Sequence, residues 1–124
     1  VVSPDPKHPT FRGRVAVLMG PANMSSCESF LLMMKQVPHC KLIGRRSYGS
    51  SGNPQPVALA NGVTVYLPSW RDLLPDGACF EGHGIEPDIE VKAQAQSSAS
   101  SDEVLETALR ELRRPTAGRT SSGP

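Results

Sequence analysis

Arg14-Val-Ala-Val-Leu-Met-Gly-Pro-Ala-Asn-Met-Ser-Ser-Cys-Glu-Ser-Phe-Leu-Leu-Met-Met-Lys35 reads as a buried strand, a tight turn and a helix that opens on two serines. Val15 to Met19 is a short apolar run rich in β-branched residues and closed by Gly20-Pro21. That pattern predicts a strand buried on both faces, although periodicity alone does not exclude a helix. From Cys27 onward Phe30, Leu31, Met33, Met34 and Val37 recur at three- and four-residue steps until Pro38 stops them. The spacing predicts a helix packed on more than one side, with Ser25 and Ser26 at its N-terminus.

Two readings fit those serines. Ser25 and Glu28 stand three residues apart, the spacing of a capping box, in which hydroxyl and carboxylate each satisfy a backbone N–H that the helix leaves unpaired. The pattern alone favours that reading. The other makes Ser25 a nucleophile on a sharp strand-to-helix turn, with the Ser26 N–H and the positive end of the helix facing a developing oxyanion.

The 124 residues carry a net charge of +1, with no basic run and few aromatics, so nothing points to nucleic acid or a membrane surface. One domain is the most they can build. Proline-rich residues 1–11 and the tail 115–124 are expected to be flexible segments around an α/β core at 12–92. Cys27, Cys40 and Cys79 are odd in number and lack a CxxC pair, so they are expected to be buried thiols, with no disulfide framework and no metal site. No cofactor is implied. No signal peptide, membrane span or lipidation motif is evident, and the opening Val1-Val-Ser-Pro leads us to expect a piece of a longer protein.

Further along, Cys40 to Gly44 is expected to form a parallel strand beside the first, with the helix as crossover. Ser47-Tyr-Gly-Ser-Ser-Gly-Asn-Pro54 lacks phosphate-binding spacing and a lysine, and as an isolated feature it reads as a plain loop; the other reading is a loop able to cradle a ligand, with Gly49 and Ser50 as its candidate substrate-binding residues. Val57 to Leu67 predicts a hairpin around Asn61-Gly62, with Val63, Val65 and Leu67 on one face. A turn-rich excursion follows, in which Trp70 is expected to pack rather than bind, and Glu81 to Val91 leads into a last strand. Residues 93–101 read as an Ala/Gln/Ser linker. Within 102–114, Leu105, Ala108, Leu109 and Leu112 mark one face of a helix that Ser100 and Glu103 can cap and Pro115 stops. Arg110, Arg113 and Arg114 suit its negative end.

Taken in order, Gly13 to Met19, the Ser25-Ser-Cys-Glu28 turn, Leu42-Ile-Gly44, the Asn61-Gly62 hairpin, Pro75-Asp-Gly77, Gly82-His-Gly-Ile-Glu-Pro-Asp88 and the Asp102 to Leu109 helix resemble the C-terminal half of the catalytic domain in the C-terminal processing (tail-specific) serine proteases and their tricorn-like relatives. The combination is far more specific than any member, and it reverses the preference for a mere cap. The resemblance implies a partial crotonase/Clp-protease-like α/β fold: a β-α-β unit, a following β-hairpin and a C-terminal helix. It implies Ser25 as nucleophile and the Ser26 N–H as half of an oxyanion hole, the other half lying upstream.

The departures narrow the mechanism. A serine hydroxyl needs a neighbouring base. In the processing proteases that base is a lysine in the turn after the second strand, where this sequence has Tyr48-Gly-Ser50. Lys35 and Lys41 flank the region, and both are expected to be solvated surface residues. Tricorn-like members use an upstream histidine oriented by a glutamate, and Glu81 resembles that glutamate. His83 is the only substitute base the motif offers, and its Gly-His-Gly turn needs no such role.

The resemblance therefore implies a serine peptidase acting on peptide or protein substrates, with this chain a partial catalytic domain, inactive alone, whose partner is the missing N-terminal part of the same domain. Two alternatives use the same fold. A ligand- or peptide-binding module, as in the retinoid-binding repeats similar to this family, would line an apolar pocket with the Ser47 to Asn53 loop and Trp70. A purely structural fragment would expose apolar surface when alone.

Overall fold

The structure, a computed structural model, describes residues 7–92 and 102–115. Its elements run β1 (Val15–Met19), α1 (Ser26–Lys35), β2 (Cys40–Gly44), β3 (Gln55–Ala58), β4 (Thr64–Leu67), β5 (Ile89–Glu90) and α2 (Glu103–Arg113). The expected linker and both expected end segments fall largely outside the described residues.

The chain forms the β-α-β unit its pattern predicts. β1 and β2 pair in parallel from Val15 opposite Cys40 to Met19 opposite Gly44, with α1 as the crossover. β5 adds in parallel on the other side of β2, giving the order β1-β2-β5. Asp88 extends that pairing where Pro87 has no N–H to give: its N–H donates to the Leu42 carbonyl and its carboxylate accepts from the Leu42 N–H, each at 2.8 Å.

The strand alternation sorts the core. Met19, Leu31, Leu42, Phe80 and Ile85 form a buried cluster beneath α1, supported by Val17, Leu32, Met34 and Leu74. Ile43 is fully buried yet outside that cluster, since adjacent strand residues point to opposite faces. α2 lies against β1 and β2 and buries Ala108, so it covers the Ile43 face.

Three expectations about packing change. β1 is not buried on both faces: Leu18 is 43% exposed, and only Met19 is fully covered. The most buried strand is β2, with only Lys41 exposed, because it is the one with neighbours on both edges. α1 packs on one side only, leaving Phe30 and Met33 exposed. α2 turns Val104, Thr107, Ala108 and Glu111 inward, while Leu105 and Leu112 are exposed. Its cap is Asp102, whose carboxylate accepts from the Val104 and Leu105 N–H groups; Ser100 lies outside the described residues.

The hairpin forms with Gln55 opposite Leu67 and Ala58 opposite Thr64. Its connection is a three-residue loop: Leu59 donates to the Val63 carbonyl, Gly62 donates back to Leu59, and Gly62 alone takes positive φ. Both strands are exposed throughout.

The capping box does not form. Ser25 makes no side-chain bond to the helix, and Glu28 points inward with no exposed surface. There it accepts from the Ser47 hydroxyl (2.5 Å) and the Gly49 N–H (2.7 Å) at Oε1, and from the Ser50 N–H (2.9 Å) at Oε2. The Ser47 hydroxyl in turn accepts the Ile85 N–H at 2.7 Å, so its own proton is committed to Glu28. Every partner of the carboxylate is a donor, which satisfies a buried acceptor completely.

Three outcomes are expected. Leu42→Ala costs about 2–5 kcal/mol, whereas Val65→Ala on the exposed hairpin stays within about 0.5 kcal/mol, as read by denaturant midpoints. Glu28→Gln costs about 1–3 kcal/mol in the same measurement, because its amide N–H₂ must face a donor. Burial first, then the nearby Asp88, raises the Cys40 thiol pKa against the opposing pull of Lys41; at neutral pH a maleimide should therefore label Cys40 more slowly than the half-buried Cys27 and Cys79.

Candidate active site

Ser25 sits at φ 57°, ψ −130°, a backbone state that a residue with a side chain adopts only when its surroundings hold it there. The turn before it is tied at several points. The Gly20 N–H donates to the Asn23 side chain (2.6 Å), and the Tyr48 N–H donates to the Asn23 carbonyl (2.9 Å). The Ser25 N–H donates to the Ser50 carbonyl at 2.7 Å, while the Ser25 carbonyl accepts from Glu28 N–H at 2.8 Å. What remains is an exposed hydroxyl released from capping duty. Ser26 is the first helical residue, so its N–H has no carbonyl one turn back to bond with and lies at the positive end of α1.

Glu81 stands on the loop leading towards β5, with Oε2 accepting from both the N–H (3.0 Å) and the hydroxyl (3.1 Å) of Ser51. The consecutive residues Ser50 and Ser51 thus connect the candidate nucleophile to the candidate acid. Ser26, Ser25 and Glu81 are gathered at the C-terminal ends of the parallel strands, where open α/β sheets form their sites.

Gly49 and Ser50 lie between them, but their backbone groups are spent internally. Gly49 donates to Glu28 and accepts from the Gly82 N–H, and Ser50 donates to Glu28 and accepts from Ser25. A side chain at Gly49 would meet the Gly84 nitrogen at 2.5 Å, and its φ of +85° disfavours one as well. The Ser50 side chain, half-buried, is the group this pair can offer a substrate.

The bases that the sequence singles out are directed elsewhere or lie at the far ends of α1 and β2. His83 Nδ1 bonds the carbonyl of Glu81 (3.0 Å) rather than its carboxylate, and Lys35 donates to the Glu86 carbonyl. His39 and Lys41 sit at the opposite, N-terminal end of β2. Trp70 does not pack into the core: it is 57% exposed, and its indole N–H donates to the Ser51 carbonyl at 3.1 Å. With Pro68, Ser69, Arg71, Cys79 and Glu81 it lines an open cleft of roughly 650 Å³. Among the described residues no group of His, Cys, Asp and Glu side chains is arranged to hold a metal ion.

Sequence reasoning missed the roles of Glu28, Ser47 and Ser51. Glu28 was visible only as half of a cap, and nothing in the local pattern marks the two serines as its partner and that of Glu81, since those bonds join residues 19 to 30 positions apart.

The model of peptidase family S41 matches residues 2–91. A provisionally assigned peptidase from Parabacteroides merdae is 27% identical with a TM-score of 0.76, over 84% of this chain and 33% of that one. The tricorn protease (23% identity, TM-score 0.60) matches over 83% of this chain and 11% of its own. The photosystem II D1 C-terminal processing protease (23%, TM-score 0.53) matches over 64% and 20%. The chain thus spans a third or less of the length of these structures. Comparison with curated protein sequences found no match. On the match over residues 2–91, together with the parallel β-α-β unit and the serine turn it carries, the chain belongs to peptidase family S41.

Proposed function

We propose that the protein to which this chain contributes is a serine peptidase, and that the chain carries part of its catalytic domain: the core at 12–92 and the helix at 102–114. Ser25 is the nucleophile, the Ser26 N–H an oxyanion donor, and Glu81 the acid that orients a histidine supplied from outside this chain. Substrates are peptides or proteins. The observation that carries this reading is the state of Ser25, held at positive φ on the strand-to-helix turn with its hydroxyl free of the helix.

The steps follow from that arrangement. Ser25 Oγ attacks the scissile carbonyl carbon as the histidine takes its proton, and the carbonyl oxygen, now negative, turns to the Ser26 N–H and the α1 N-terminus. The histidine returns the proton to the leaving amine as the C–N bond breaks, and an acyl ester remains on Ser25. Water, deprotonated by the same histidine, then hydrolyses that ester and restores the hydroxyl. Glu81 stabilises the imidazolium formed at each proton uptake. Without the histidine this chain alone has a positioned but unactivated serine, and a segment completing the domain is the partner it requires.

The test is covalent labelling by a serine-reactive fluorophosphonate, alongside peptide hydrolysis. The complete protein should label, the isolated chain should not, and Ser25→Ala should abolish labelling and lower hydrolysis by about 10⁴-fold or more. Labelling of the isolated chain would mean that a base lies within these 124 residues. A folded complete protein that never labels would replace the peptidase by the binding module, with the Trp70 cleft as its ligand site.

A further inference from the structure

We infer that Ser51 is a positioning residue for this site: its hydroxyl and its backbone N–H together fix Glu81 in the orientation that a catalytic histidine requires. The inference rests on the peptidase reading above. Glu81 is a long, exposed side chain on a loop, and holding such a chain in one rotamer carries an entropic cost that specific bonds must offset. Ser51 supplies two of them, from Oγ at 3.1 Å and from N at 3.0 Å, and both fall on Oε2. Two donors from one residue on one oxygen set the plane of the carboxylate. Oε1 is then the oxygen left to accept an imidazole N–H.

Ser51 is itself held firmly. It is 6% exposed, and its carbonyl accepts the Trp70 indole N–H. Its chain neighbour Ser50 is clamped between the Glu28 carboxylate and the Ser25 N–H. The segment that stands where processing proteases carry a lysine base therefore does different work here: one residue holds the nucleophile's turn, and the next holds the acid. The carboxylate only accepts, so the Ser51 proton lies on the Oγ–Oε2 line, and replacing it by a hydrogen or a poor donor removes one of the two bonds.

The experiment uses the complete protein and compares Ser51→Ala, Glu81→Gln and the double variant by kcat, KM and thermal midpoint, with Ser51→Cys filling the same buried space with a weak donor. Ser51→Ala and Ser51→Cys should lower kcat about tenfold to a hundredfold, the scale of a lost charge-assisted hydrogen bond, with KM changed less than about twofold. On the Glu81→Gln background, Ser51→Ala should cost little more, since its effect passes through Glu81. Two results overturn the inference: a folded Ser51→Ala and Ser51→Cys pair as active as wild type, or a Ser51→Ala loss that multiplies in full on Glu81→Gln. If the unmodified protein shows no Ser25-dependent hydrolysis, the peptidase reading itself fails and this inference falls with it.

Discussion

A carboxylate with no exposed surface, Glu28, sets the geometry of everything near the serine turn. Removing a charged group from water is costly, and the cost is offset here by donors converging on both oxygens. Those donors come from the loop after β2, so a single residue of α1 fixes that loop against the helix. Ser47 passes the constraint onward by accepting the Ile85 N–H, which ties in the segment leading to β5. Three stretches far apart in the chain are thereby locked into one frame by hydrogen bonding, alongside the apolar cluster that Leu31, Phe80 and Ile85 share.

Within that frame the strain at Ser25 is sustained. A positive φ at a residue with a side chain costs roughly 1–3 kcal/mol and persists only where the surroundings over-determine it. The Ser50 carbonyl receives the Ser25 N–H, and Ser50 is itself held by Glu28. The same geometry denies Ser25 the cap it would otherwise make, because its hydroxyl no longer points back at the helix. Loss of the cap and exposure of the Ser25 hydroxyl are one structural event.

The elements were legible in the sequence because each announces itself locally. β1, α1, β2 and the hairpin follow from apolar spacing, Gly20-Pro21 and Asn61-Gly62, and the order of those motifs disclosed the family. Long-range facts were not legible. The Ser25/Glu28 spacing is the same for a capping box and for a buried carboxylate, and only the loop arriving from β2 decides between them. The expectation that β1 is buried on both faces failed for a similar reason: its composition suits a central strand, but burial depends on neighbours, and among the described residues β1 pairs only with β2. Trp70 looked like core by type, yet the bond to Ser51 holds it at the rim of a cleft.

The sheet also arranges the candidate site residues. The candidate nucleophile follows β1 and the loop that positions it follows β2; Glu81, although it precedes β5, is drawn to that loop by Ser51 and by the Gly82 N–H on the Gly49 carbonyl, so the candidate residues collect at the C-terminal ends of β1 and β2. His39 and Lys41 lie at the other end of β2, and a five-residue strand spans about 16 Å, several times hydrogen-bond reach. His83 is turned to a backbone carbonyl and Lys35 to the Glu86 carbonyl. In the proposed mechanism a histidine must reach both the exposed Ser25 hydroxyl and the Glu81 oxygen that Ser51 leaves open. On the proposed reading this chain builds and braces the candidate nucleophile and the candidate acid, and the proton-moving histidine comes to them from another stretch of polypeptide.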